Sequence, residues 1–148
     1  MILFALRHAD RMPDGDRLSP AGMKRAELLA RTLGESGVRI AFRSDAARTE
    51  QTVAPLKNAL GGALEVVVVR TDGPHGIDGH IRDIVNRLKT LPQDAVAVVV
   101  GHTNTIGPVI KGISGKDTDP IAENQFDKLF VVDSSGTVAL TRYGEKTG

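Results

Sequence analysis

The chain has 148 residues, 41% of them hydrophobic and 25% charged, which is the balance of a folded domain and excludes an intrinsically disordered one. Nineteen Lys and Arg against 18 Asp and Glu leave a net charge of +1, and aromatics are 3%, so neither the basic coat nor the stacking rings of a nucleic-acid binder are present. With no cysteine, disulfides, thiolate nucleophiles and cysteine-held zinc are excluded, which fits a cytoplasmic location.

The opening run, Met1–Leu6, is apolar and reads as a first strand. It is too short for a signal-peptide core, and no later run approaches the ~18 apolar residues of a membrane span. "LSPAGMKRAELLARTLGESG" follows. Ser19 is placed to cap a helix with Pro20 at its first position. Met23, Ala26, Ala30 and Leu33 would share its buried face, and Gly34 and Gly37 would stop it. "VRIAFRSD" reads as a short second strand.

A second helix from Ala46 places Thr49, Val53, Leu56 and Leu60 at spacings of three and four. Pro55 should kink or interrupt it. "ALEVVVVR" reads as a third strand covered on both faces, and "TDGPHGIDGH" as a glycine-punctuated loop. Ile81, Ile84, Val85, Leu88 and Leu91 then stripe a third helix, with Asp78 suited to cap it. "AVAVVV" is a fourth strand. A short helix around Ile106, Val109, Ile110 and Ile113 follows, capped by Thr103 or Asn104. "FDKLFVV" and "TVALTRY", joined across Asp133–Gly136, read as a closing hairpin. Alternating strands and helices predict α/β layers on a mostly parallel sheet, in a single domain over residues 1–148.

Three strand ends carry the chemistry. Arg7 and His8 follow the first strand, His102 follows the fourth, and Arg48 stands near the start of the helix after the second. In open α/β sheets ligands bind in the crevice outside the carboxyl ends of the strands. Ser44 or Asp45 would cap the second helix, whose first amides would favour an anion in that crevice. Arginine's planar fork suits phosphoryl oxygens, and a neutral imidazole offers a lone pair for attack on phosphorus. Two arginines and two histidines converging there compose a site for a doubly charged phosphate. One histidine would be the nucleophile, and the other, protonated, would share the charge of the transferring group with Arg7 and Arg48.

The set "LRHAD", "SDAARTEQT" and "VVVGHTNT", in this order, resembles the histidine phosphatase superfamily, whose fold is phosphoglycerate-mutase-like. "LSPAGMKRAELLA" resembles the family's first helix. The resemblance implies a three-layer α/β/α sandwich and no metal or other cofactor. It makes His8 the phosphorylated nucleophile, Arg7 and Arg48 phosphate clamps and His102 the second pocket histidine, with Thr103 beside it at the phosphate.

Two positions depart from the family pattern. Asp10 stands where a glutamate is common, and it is assigned no chemistry. The proton donor is also displaced. Larger members bring a glutamate from an insertion after the second or third strand, for which residues 61–80 are too few. The phytase-like branch places an aspartate where Thr103 stands. Asp72, Asp78 and His80 are the remaining candidates in the crevice loop, and Asp78 ranks first.

Short length and a displaced donor resemble the compact phosphohistidine-phosphatase branch. A phosphomonoester or phosphohistidine would then be hydrolysed through a phosphohistidine on His8, the substrate being a small phosphate ester or a phosphoprotein. A phosphomutase, or a phosphate-binding or phosphoprotein-docking module without chemistry, are the alternatives. A metallohydrolase built from His8, His102, His75 or His80 with Asp10 has poor ligand spacing. No nucleic-acid or membrane partner is expected, and the chain would be a monomer or a weak homodimer.

Overall fold

The computed structural model describes residues 1–148. Its strands are β1 (Ile2–Arg7), β2 (Ile40–Arg43), β3 (Glu65–Val68), β4 (Val96–Gly101), β5 (Lys128–Val132) and β6 (Val138–Arg142). Its helices are α1 (Pro20–Leu33), α2 (Ala47–Leu60), α3 (Gly76–Lys89) and α4 (Ile106–Ser114). The strands form one sheet in the order β3-β2-β4-β1-β5-β6. The first four are parallel, and β5 and β6 run antiparallel at the β1 side. Helices α1 and α2 pack together, as do α3 and α4, which yields a three-layer α/β/α sandwich.

Strand alternation builds two cores from one sheet. Leu3, Ala5, Ile40, Phe42, Ala97 and Val99 pack with Ile84 and Leu88 of α3 and Val109 and Ile110 of α4. The intervening Leu6, Ala41, Val98 and Val100 pack with Leu29 and Leu33 of α1 and Val53 and Leu56 of α2.

Helix α1 begins as its sequence predicts, with the Ser19 hydroxyl accepting from the Gly22 amide at 3.1 Å. Its buried face is rotated about one residue from the expected one. Gly22, Arg25, Ala26, Leu29 and Leu33 are buried, whereas Met23 is 59% exposed. Two contacts set that rotation. A Cβ at Gly22 would stand 1.9 Å from the Asp10 carbonyl oxygen, so only glycine allows the approach. Arg25 is buried with its Nε donating to Asp10 Oδ1 at 2.6 Å and its Nη atoms donating to the carbonyls of Tyr143 (2.6 Å) and Glu145 (2.9 Å). Asp10 thus ties the loop after β1 to α1 and, through Arg25, to the C-terminal segment.

Helix α2 runs through Pro55 without interruption. Its packed side, Thr49, Thr52, Val53 and Leu56, outweighs the one backbone hydrogen bond that proline removes. Strand β3 is covered on both faces as expected, though only in part, with Val66 packed against one core and Val67 against the other. It is the sheet edge, with Val68 45% exposed. Helix α3 starts at Gly76, inside the segment read as loop, so Asp78 is its third residue and not its cap. The cap position of α4 is Thr105 and not Thr103 or Asn104. The hairpin turn is closed by Asp133, whose Oδ1 accepts from the Ser135 and Thr137 amides (2.9 and 3.1 Å), with Gly136 at φ 83°. No helix is long and apolar enough to cross a membrane.

Candidate active site

β1 and β4 are parallel neighbours with Arg7 opposite Gly101, so the next residues, His8 and His102, leave the sheet side by side. The His8 amide donates to the Gly101 carbonyl at 2.8 Å, and the two rings meet edge to face with centroids 5.4 Å apart. On the far side of β4, Arg43 of β2 pairs with Val100. That brings Ser44 to the same edge, where its Oγ lies 2.8 Å from His102 Nε2. Helix α2 starts just beyond and supplies Arg48. A cleft of about 630 Å³ opens here, lined by Arg7, His8, Arg48, His102 and Thr103, the five residues the sequence reading places at phosphate.

The state of His8 follows from its two nitrogens. Nδ1 lies 2.7 Å from the Ala9 carbonyl, which can only accept, so the ring proton belongs there. Nε2 therefore carries the lone pair, and Arg48 Nε donates to it at 3.2 Å. Burial pushes the His8 pKa down to about 3, reinforced by Arg7, His102 and Arg48 and opposed by the Ala9 carbonyl. The ring is thus neutral at ordinary pH with an unprotonated nitrogen on the cleft. Burial also lowers His102, with Arg48, His80 and Arg7 adding to it, to about 4. These three neighbouring basic groups disfavour an extra charge on the ring, and Asp16 opposes them only in part.

The arginines are already engaged. Arg7 is buried, with its guanidinium 4.1 Å from the centre of the Phe126 ring. Its Nη1 donates to the carbonyls of Glu123 (2.7 Å) and Gln125 (3.0 Å), and its Nη2 lies 3.4 Å from Glu123 Oε2. Its buried Nε has no partner. Arg48 Nη1 pairs with Asp16 Oδ1 at 2.8 Å. The same carboxylate accepts from the backbone amides of Ala47 (2.8 Å) and Arg48 (3.0 Å). Asp16, from the loop between β1 and α1, therefore caps α2, replacing the expected Ser44 or Asp45. Burial works to raise the Asp16 pKa, but the two amides and Arg48 outweigh it and hold the carboxyl below the usual range. Asp45 turns away to accept from the Thr71 amide (2.9 Å) and hydroxyl (3.0 Å), which hold its pKa low.

None of the three expected proton donors lines the cleft. Asp78 is exposed on the first turn of α3, and it is its neighbour Ile77 that reaches the cleft wall. Asp72 is exposed and held at both oxygens by Arg70, at 2.8 and 2.7 Å. His80 is buried, with Nδ1 2.7 Å from the Val69 carbonyl. The cleft carboxylates are instead Asp16, Asp45 and Glu123. Thr103 Oγ1 donates to Glu123 Oε1 at 3.2 Å. Sequence reasoning missed Asp16 and Glu123, because both lie in irregular loops where no periodicity marks a direction. An acid a few residues beyond Arg7-His8 was the one signal available for Asp16. No three histidine or carboxylate side chains converge in a way that could hold a metal ion.

Residues 7–71 match the family model described as histidine phosphatase superfamily (branch 1). That span contains Arg7, His8, Asp16 and Arg48. No match is found among curated proteins. Among solved structures, the chain resembles the protein histidine phosphatase SixA complexed with tungstate, at a TM-score of 0.69 and 21% identity, covering 97% of this chain and 96% of that one. It also resembles a mycobacterial glucosyl-3-phosphoglycerate phosphatase, at a TM-score of 0.65 and 18% identity over 96% and 98% of the two chains. A phosphoglycerate mutase from Plasmodium falciparum aligns at a TM-score of 0.61 and 16% identity over 99% and 92%. The fold is phosphoglycerate-mutase-like.

Proposed function

We propose that this chain, which shares its fold and its Arg7-to-Thr71 signature with the histidine phosphatase superfamily, is a metal-independent phosphatase that works through a phosphohistidine on His8. One observation carries the reading. His8 Nε2 is an unprotonated, buried nitrogen on the wall of a cleft whose other walls hold Arg7, Arg48 and His102.

A phosphoryl dianion entering the cleft would take up the partnerless Nε of Arg7 and draw Arg48 from its bond with His8 Nε2. Both arginines would then face the equatorial oxygens. Release of Nε2 and neutralisation of the anion would thus be one event. The Nε2 lone pair attacks phosphorus in line with the departing oxygen, and water later cleaves the N–P bond. The dianion would also favour protonation of His102, whose neutral state reflects burial among cations. The substrate is a small phosphate ester or a phosphoprotein.

The test is incubation with an aryl phosphate followed by acid quench. Wild type should release the phenol and carry acid-labile, base-stable phosphate. His8→Asn should lose the phosphoenzyme entirely and turnover by at least about 10³-fold. Turnover unchanged in His8→Asn removes the nucleophile. Oxyanion binding with no turnover in wild type would instead mark a binding module.

A further inference from the structure

Resting on the phosphohistidine reading, we propose that Glu123 protonates the leaving group and then takes the proton of the attacking water. Three carboxylates reach the cleft, and two are committed elsewhere. Asp16 accepts two backbone amides and Arg48, and Asp45 accepts the Thr71 amide and hydroxyl. A carboxylate held by that many donors gives up its ionised state reluctantly. Glu123 touches only Thr103 Oγ1 at 3.2 Å and Arg7 Nη2 at 3.4 Å, and its side chain is 81% exposed. It is the one carboxylate of the three that no backbone amide holds.

Its backbone, by contrast, is fixed. The turn from Ala122 to Gln125 is closed by the Gln125 amide donating to the Ala122 carbonyl at 3.0 Å, and the Gln125 side chain accepts from the Ala122 amide at 2.9 Å. Arg7 Nη1 bonds the carbonyls of Glu123 and Gln125, and Phe126 lies against the guanidinium. Buried Ile121 and Asp127 hold the segment on either side. The result is a mobile carboxyl on a rigid turn, between the residue before His8 and the residue after His102.

The proton inventory closes on this one group. In the first step the His8 Nε2 lone pair forms the N–P bond as the P–O bond to the ester oxygen breaks. The leaving oxygen takes the proton of the Glu123 carboxylic acid and departs as an alcohol. In the second, water forms a new P–O bond while the Glu123 carboxylate takes its proton. The N–P electrons return to Nε2, and phosphate leaves with the starting protonation restored. An alkoxide needs this help far more than a phenolate does, and that difference supplies the readout.

The experiment compares wild type, Glu123→Gln and Glu123→Asp on a series of phenyl phosphates of graded leaving-group pKa and on an alkyl phosphate. Glu123→Gln should lose about 10²-fold or more in kcat/KM on the alkyl ester, and progressively less as the leaving group becomes more acidic. With the most acidic phenol it should accumulate acid-labile phosphoenzyme, because the second step still lacks its base. Glu123→Asp should recover part of the loss, since it keeps an ionisable carboxyl. A loss in Glu123→Gln that is equal across the series, or absent, overturns the assignment while leaving His8 intact. Absence of any wild-type phosphoenzyme overturns the underlying reading, and this role with it.

Discussion

His8 and His102 hold the same kind of side chain at the same kind of strand end, yet the chain uses their four nitrogens differently. The Ala9 carbonyl fixes the proton on His8 Nδ1, and Ser44 holds His102 by Nε2. Neither partner is visible from residue type, because one is a backbone oxygen and the other arrives from the neighbouring strand β2, 58 residues away in the chain. Both imidazoles are depressed from 6.5, to about 3 and about 4. Between those values and 6.5 the unfolded chain binds more protons than the folded one. Stability is therefore fully present above about pH 6.5 and declines as pH falls, by up to ~1.4 kcal/mol per pH unit for each ring. Denaturant midpoints measured from pH 7.5 to 5 should fall, and His8→Asn should flatten the slope. Tungstate should act in the opposite direction on His102, since a dianion favours imidazolium. A titration followed by imidazole NMR should show its pKa rising when tungstate is added.

At the level of elements, the start of α2 shows best how a loop can govern a helix. Asp16 sits on the first amides of α2 while pairing with Arg48, so it holds the place that an incoming oxyanion would favour. Asp16→Ala should cost about 1 kcal/mol of stability through loss of the cap, read from the denaturant midpoint. Asp16→Asn keeps an acceptor for the amides but removes the negative charge. It should bind tungstate several-fold more tightly by calorimetry, because two like charges no longer share one corner of the cleft. The strands and α1 were legible because alternation, a Ser-Pro start and glycine stops are local signals. The start of α3 was not. Its glycines mark a loop by composition, but buried His80, Ile84 and Leu88 hold those turns helical against their propensity. The α2 cap was illegible for a related reason, since its donor and acceptor lie 31 residues apart. Glu123 is 116 residues from Arg7, and nothing in the spacing of the sequence connects them.

For the whole molecule, the sheet separates two cores that share no side chain. Val53→Ala on the α1/α2 side and Ile110→Val on the α3/α4 side should each destabilise, by roughly 1–3 and 0.5–1.5 kcal/mol. Their effects should add to within about 0.5 kcal/mol in a double-mutant cycle, and a larger coupling would mean that strain passes through the strands. The order of the parallel strands was the one global feature beyond sequence pattern. Alternation tells which residues lie inside, but it does not tell that β4 lies between β1 and β2. That insertion is what brings three separate strand ends to one cleft. It also ties the chemistry to strand length more tightly than to any neighbouring side chain. His8 and His102 share an opening because Ile2 through Arg7 run in step with Val96 through Gly101. One extra amino acid in either run would keep every functional residue and most of the core, yet turn one imidazole to the opposite side of the sheet. Drift in this protein should therefore tolerate exchanges among Val, Ile and Leu in these two segments far better than the gain or loss of a single codon.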